Sequence, residues 1–352
     1  VTLTFPAPTR LFSSGADSSF DDARWDELVM AAGGDPLQSR AWGDFKTRHG
    51  WTVERVTVEA DWGGGLAQVL FRRRGPVSLG YVPRGPVLWG DRDRAFRELT
   101  KRIDRVSRRR LAICTIFEPA APLGLVGSYR DYGYVRGPAP FQPARTVRVP
   151  LLPDAELLAQ MDSKHRYNIR LAGRRGVTVR AGTTDGDLGH FFSLLRDTSD
   201  RNEFGIHGFD YYADALRLFG DDAHLLLAEI DGQIAAAGMA VRFGIQAAYL
   251  YGASSSTVRA DGAAFLLQYE LMRWARDRGA TTYDLWGIPS EDPAPLPPGA
   301  TGMTQSRGED HRGLYTFKTR FGGEIVRFPW PMERRYVPIA AAAARRAGVL
   351  VG

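Results

Sequence analysis

One cysteine, six histidines and four lysines are all that 352 residues contain of the side chains most used for thiol, metal and amine chemistry. A single thiol excludes an intramolecular disulfide and any cysteine-based metal cluster. Cys114 lies in the apolar run Leu111-Ala112-Ile113-Cys114-Thr115-Ile116-Phe117 and reads as a buried strand residue rather than a nucleophile. The few histidines make no convincing Ser/His/Asp or Cys/His set with it. No run of about eighteen apolar residues occurs, which argues against a membrane-spanning helix. The start, VTLTFPAPTR, lacks a basic region followed by an apolar one, so a cytoplasmic chain is expected.

Arginine, apolar residues and aromatic rings are abundant instead. The length and 44% hydrophobic content suit about two ordinary domains, each with its own core. A formal net charge of +6 predicts attraction to polyanions: nucleic acid, phosphorylated small molecules or an anionic membrane face. Among so few lysines, Lys318 stands out within the aromatic run Leu314-Tyr315-Thr316-Phe317-Lys318-Thr319-Arg320-Phe321. A compact, mobile ammonium suits a task that a planar guanidinium fills poorly, which makes Lys318 a candidate site residue. A solvated lysine whose stem covers a short helix is the competing reading.

Periodicity predicts helices over 23–32, 37–48, 94–110 and 263–278. Strands are predicted over 51–59, 65–73, 76–82, 111–117, 223–230, 233–243, 246–252 and 282–286, with Asp231-Gly232 marking a tight hairpin. Strand, strand, helix, strand therefore occurs twice, which predicts an α/β protein of two related units in tandem, with mixed sheets flanked by helices. Meander, helix, strand is the core of the acetyltransferase-like (GNAT-like) fold, whose central sheet splays to admit a ligand. Pro138, Pro140, Pro143, Pro150 and Pro153 put the boundary near residue 150, and the Pro/Gly-rich stretch 289–313 reads as a mobile loop beside a site. Arg259-Ala260-Asp261-Gly262-Ala263-Ala264 loosely matches the loop that holds the pyrophosphate of coenzyme A in that fold. A plain glycine-containing helix start explains it as well.

Trp42-Gly43-Asp44-Phe45-Lys46, Tyr81-Val82-Pro83-Arg84-Gly85-Pro86-Val87 and Ser163-Lys164-His165-Arg166-Tyr167-Asn168-Ile169-Arg170 are three of seven notable segments. The others are Arg201-Asn202-Glu203-Phe204 leading to Tyr211-Tyr212, Tyr251-Gly252-Ala253-Ser254, Tyr283-Asp284-Leu285-Trp286-Gly287 and Phe317-Lys318. In this order, over nearly the whole chain, they resemble the Fem-type (FemABX) non-ribosomal peptidyltransferases, which move amino acids from aminoacyl-tRNA to the peptide of a peptidoglycan precursor. The resemblance implies two acetyltransferase-like domains, 1–150 completed by 322–352, and 151–321 carrying the 289–313 loop. Some members carry a coiled-coil arm; no heptad run of that length exists here, so the compact form is implied.

In such a reaction an amine attacks the ester joining an amino acid to the terminal ribose of tRNA, forming a tetrahedral oxyanion and expelling a ribose hydroxyl. Deprotonating an amine of lysine-like pKa costs about 4 kcal/mol near pH 7.5. A positioned oxyanion donor contributes about 2.7–4 kcal/mol. The resemblance makes Lys318 that donor, with Phe317 stacking on the terminal adenosine. Asp284 is a candidate proton acceptor, although a turn role is favoured for it, and the substrate itself could carry the proton away.

For the acceptor's diphosphate the resemblance points to Lys46. Where the family has another basic residue, four before Tyr211, this chain has His207, so either a protonated His207 or another arginine serves, Arg84 and Arg201 being the nearest in sequence logic. Tyr211 and Tyr251 match tyrosines that contact the muropeptide, with burial in the core as the competing account. Lys164, Arg166 and Arg170 are expected to contact tRNA from the basic helix 163–175. The run 92–110 and the segment Ile339 to Leu350 are candidates to face anionic lipid.

The implied partners are aminoacyl-tRNA as co-substrate, with no further cofactor and no metal, and a UDP-linked or lipid-linked muropeptide met in the cytoplasm or at the cytoplasmic membrane face. Two other functions remain open: a coenzyme A-dependent N-acyltransferase, and a non-catalytic protein that binds tRNA or anionic membrane.

Overall fold

The computed structural model describes residues 22–202, 205–258, 260–293 and 312–346. The chain divides into two units, Val1–Gln142 with Phe328–Gly352, and Pro143–Arg327.

In the first unit α1 (Asp22–Ala31) and α2 (Arg40–Arg48) precede the antiparallel strands β1 (Thr52–Ala60), β2 (Gly63–Arg74) and β3 (Val77–Arg84). The short β4 (Val87–Gly90) folds back onto the glycine run that opens β2, so that strand starts earlier than its side-chain alternation suggests and keeps Arg72 to Arg74. α3 (Arg92–Arg109) then crosses to β5 (Ala112–Pro119), which runs parallel to β3, and β6 (Val135–Arg136) lies at the sheet edge.

Asp91 caps α3 by accepting from the Arg94 backbone N–H at 3.0 Å. Ala95, Phe96, Leu99, Ile103 and Val106 recur at helical spacing and bury against Val56, Val58, Val69, Phe71 and Phe117. Many of this helix's cations are tied into the unit's own surface: Arg102 donates to the Thr57 carbonyl at 2.7 Å, while Arg94 and Arg97 lie over Trp62 and Tyr132.

On the other face α2 is docked by two buried glutamines. The Gln38 amide donates to the Pro83 carbonyl at 2.6 Å and accepts from the Gln68 N–H at 2.7 Å; the Gln68 amide donates to the Ser39 carbonyl at 2.9 Å and accepts from Arg55 Nε at 3.0 Å. A Cβ on Gly43 would collide with the Gln68 side chain, so the glycine of Trp42-Gly43-Asp44 is what lets α2 lie this close.

The second unit starts with β7 (Arg145–Pro150), α4 (Asp154–Ala159), α5 (Ser163–Arg174), β8 (Thr178–Ala181), α6 (Asp185–Asn202) and α7 (Phe209–Phe219). The meander β9 (Ala223–Ile230), β10 (Gln233–Phe243) and β11 (Gln246–Ser254) follows, then α8 (Ala263–Asp277), β12 (Thr282–Gly287), α9 (Arg312–Thr319) and β13 (Glu324–Arg327). Asp231 and Gly232 take φ of 50° and 74° at the β9–β10 turn. The sheet order is β13-β7-β12-β11-β10-β9-β8, with β12 parallel to β11. Each unit thus has an antiparallel meander, a crossover helix and a strand returning parallel to the third. β7 pairs with β12 and β13, which puts the division between the units before this strand rather than near residue 150.

The chain then returns to the first unit. β14 (Met332–Arg335) inserts between β5 and β6, and α10 (Pro338–Arg346) covers Ile113 and Cys114 with Ala341. Cys114 is buried, and burial pushes its thiol up to about 11, as suits an inert strand residue. No helix among the described residues is long and apolar enough to cross a membrane, and no cluster of metal-ligating side chains occurs among them.

Replacing Gln68 by Leu should leave the Ser39 carbonyl and Arg55 Nε each short of a partner, at a cost of roughly 2–3 kcal/mol. Urea unfolding would register this as a lower midpoint at unchanged slope.

Candidate functional site

The second sheet opens between β11 and β12. Their parallel pairing runs from Gln246↔Thr282 to Ala248↔Asp284 and stops. Beyond it β11 stays with β10 as far as Ser254, whereas β12 stays with β7 through a register shift to Gly287↔Thr146. Asp284 holds this parting: its Oδ1 accepts the Trp286 N–H at 2.7 Å and the Thr146 hydroxyl, and its Oδ2 lies 3.5 Å from Arg148 Nε. Trp286 takes φ of 63°, the left-handed conformation that this turn requires. The carboxylate is therefore occupied in the turn role.

Into the fork, from the last turn of α9, reaches Lys318. Its Nζ donates to the Gly287 carbonyl of β12 at 2.9 Å and lies 5.9 Å from the centroid of the Tyr249 ring on β11, so one ammonium touches both parted strands. The side chain is 6% exposed, and burial pulls its pKa down to about 8, with the Asp284 charge acting in the opposite sense. This is not a solvated lysine covering a helix face.

Aromatic packing sets the pose of α9. Phe317 and Phe321 meet edge to face at 5.2 Å, Phe265 of α8 lies 5.1 Å from Phe317, and His165 of α5 sits 4.7 Å from both Phe265 and Phe321. The His165 ring donates from Nε2 to the Phe317 carbonyl at 2.8 Å, and the Asp162 N–H donates to the Arg320 carbonyl at 2.9 Å. The start of α5 is thereby joined to the end of α9, one residue from Lys318. Phe317 is half-buried in this cluster. Burial lowers the His165 pKa below its usual range and keeps the imidazole neutral.

α5 buries His165, Ile169 and Ala172. Lys164 and Arg170 stand exposed, whereas the half-buried Arg166 donates to the Ala159 carbonyl at 3.3 Å and to the Met161 carbonyl, closing the end of α4. The start of α8 lies directly against this helix. Gly262 takes φ of 85°, and a Cβ there would collide with the Asn168 carbonyl. Close packing accounts for this glycine without a pyrophosphate. Arg259 of the same stretch lies outside the described residues, as do Glu203, Phe204, most of the 289–313 loop and the end of the segment running to Leu350.

His207, Tyr211 and Tyr251 come together. His207 stacks on Tyr211 at 3.7 Å, Tyr251 meets Tyr212 edge to face at 5.0 Å, and the Tyr211 and Tyr251 hydroxyls bond to each other. Burial raises both phenol pKa values and keeps them protonated. Arg201 is exposed at the end of α6.

In the first unit Lys46 is half-buried in the last turn of α2, its ammonium 4.7 Å from the Trp42 centroid and 5.3 Å from that of Phe45. Burial first, and the Arg72 charge second, pull its pKa down to about 8. Arg84 is buried, stacked on Phe328 at 3.4 Å, and its charge opposes that of the buried Glu118. Glu118 accepts the Tyr81 hydroxyl at 2.6 Å and the Phe141 and Gln142 N–H groups. Sequence reasoning did not single out His165, Tyr249, Arg72 or Glu118 for the site, because each acts through a partner distant in the chain.

A sequence model of the FemAB family matches residues 151–234 and 231–345. The Lipid II:glycine glycyltransferase of Staphylococcus saprophyticus is 26% identical over 369 residues, covering 82% of this chain and 85% of the relative. Among solved structures, FemX has a TM-score of 0.80 at 22% identity, covering 93% of this chain and 98% of that one. A tandem GNAT protein from the clavulanic acid biosynthesis pathway has a TM-score of 0.52 at 14% identity, covering 89% and 94%. The fold is thus mixed α/β with GNAT-like units, two mixed sheets flanked by helices.

Between pH 8 and 10.5 the unfolded chain still carries the Lys318 proton that the folded chain has lost, so stability should rise with pH across that window. The full difference is roughly 3 kcal/mol. Lys318→Met should remove this part of the slope, measured by denaturant unfolding of both proteins at pH 7.5, 9 and 10.5.

Proposed function

The chain belongs to the FemAB family, and we propose that it transfers an amino acid from aminoacyl-tRNA to the stem-peptide amine of a peptidoglycan precursor. The glycyltransferase activity named for its staphylococcal relative supports the acceptor class. The observation that carries the reading is the buried Lys318 ammonium bridging the β11–β12 fork.

The ester is already activated, so the protein has to align the amine and stabilise the charge that develops on the carbonyl oxygen. As the amine attacks, a C–N bond forms and the C–O bond to the ribose breaks. The nitrogen proton leaves through solvent or on the departing ribose oxygen, since Asp284 is engaged with Thr146, Trp286 and Arg148. Lys318 spends one N–H on Gly287, which leaves it donors for an oxygen entering the fork. With a pKa near 8 it is mostly charged at neutral pH, and in low-dielectric surroundings that charge acts strongly.

In this reading Phe317 offers a ring edge or face to the terminal adenosine, and the exposed Lys164 and Arg170 meet tRNA phosphates. Arg166 contributes by holding α4 to α5. Lys46 meets the acceptor's diphosphate, while His207, Tyr211 and Tyr251 contact the muropeptide. Arg84, buried beside Glu118, supports the strand end that carries it, and the exposed Arg201 is left as a peripheral basic residue. Aminoacyl-tRNA is the co-substrate and no further cofactor enters the scheme. The reaction would take place in the cytoplasm, at the membrane face if the acceptor is lipid-linked.

Purified protein incubated with mixed charged tRNAs and both muropeptide forms should yield an acceptor heavier by one or more amino-acid residues, read by mass spectrometry. Lys318→Met should lower turnover by about 10²–10³ while leaving tRNA binding unchanged. Turnover equal to wild type in that variant would remove Lys318 from the mechanism.

A further inference from the structure

The face of the first sheet turned away from α3 is covered by α2 at one end and by α10 at the other. Between them Leu70, Tyr81 and Ile116 pack with Trp51, Val53 and Phe141. The Trp51 backbone N–H donates to the Lys46 carbonyl at 3.2 Å, which holds this residue beside the end of α2. Arg72 of β2 places its guanidinium 5.4 Å from the Trp51 centroid, and Lys46 is held over Trp42 and Phe45. Two cations are thus brought to one half-buried place, each backed by an aromatic plane.

Bringing like charges together in a half-buried place costs energy, and the cost appears in Lys46, whose ammonium the Arg72 charge helps to push down to about 8. An anion of more than one charge reverses that sign, because each cation then stabilises the other through it. A planar guanidinium meets two oxygens at once and an ammonium meets one from any direction, a pairing suited to adjacent phosphates more than to a single carboxylate.

We propose that Arg72 is a substrate-binding residue that, with Lys46, clasps the diphosphate of the acceptor on this face, with Trp51 holding the guanidinium in place. The assignment rests on the transferase reading for the identity of the acceptor, and the ligand chemistry, a diphosphate, is shared by nucleotide-linked and lipid-linked forms.

Titration calorimetry of the full chain, without any donor, against inorganic pyrophosphate and against UDP-linked and lipid-linked muropeptide tests it. Arg72→Gln should weaken pyrophosphate binding about tenfold or more and, in the transfer assay, raise the acceptor KM with kcat nearly unchanged. Arg72→Lys, which keeps the charge and loses the fork, should fall between the two and serves as the test if the glutamine variant does not fold. Arg130→Gln, the same charge loss at an exposed position of the first unit, should bind like wild type. Binding by Arg72→Gln equal to wild type, or an equal loss in Arg130→Gln, overturns the assignment. Weakening of only one muropeptide form identifies the source of the diphosphate, and weakening of neither also overturns it. Pyrophosphate binding that depends on Arg72 in a chain that transfers nothing would sink the transferase reading and keep the subsite. Transfer with an unchanged acceptor KM in Arg72→Gln would do the reverse.

Discussion

A positive charge buried where two neighbouring strands part is the constraint on which the second unit is built. An ammonium removed from water is costly, and here the Gly287 carbonyl and the Tyr249 ring offset part of that cost while Asp284 acts from nearby. The fork itself must be held open, because two parallel strands left to themselves would continue their ladder. Asp284 does this by drawing the end of β12 toward Thr146 and Arg148 of β7. The aromatic cluster around His165 then fixes where α9 ends and hence where the ammonium lies.

The first unit has the same order of strands and helix without the same opening. Its parallel pair, β3 with β5, stays in register from Ser78↔Ala112, past one shift, to Arg84↔Pro119. Where the second unit parts, the first closes over a buried carboxylate, Glu118, which accepts from Tyr81 and from two backbone groups. What the first unit carries instead is a sheet face on which aromatic rings and two cations gather. One architecture therefore supplies a fork in one copy and a charged face in the other, and the difference lies in a few residues at the strand ends.

The long elements were legible from pattern because their burial is periodic: α3 and α8 repeat apolar residues at helical spacing, and the β9–β10 turn declares itself through Asp231-Gly232. The short strands β7, β13 and β14 were not. Each is six residues or fewer, and each exists because a strand far away in the chain offers it a partner. Lys318 was visible through rarity and aromatic neighbours, and Lys46 through the family resemblance. His165 and Arg72 were not assigned roles, since a histidine between basic residues and an arginine in an arginine run carry no local mark of what they will touch.

Composition and periodicity by themselves determined that this chain forms two α/β units with helical and strand segments in a repeated order, and that its single cysteine can close no disulfide within the chain. These are properties of neighbouring residues, and neighbouring residues are enough to set them. Only the tertiary structure decided that Lys318 is buried instead of solvated, that Asp284 serves a turn and that Arg72 joins Lys46. In each case the environment is assembled from segments separated by tens or hundreds of residues, and the cost of burying a charge depends on all of them at once.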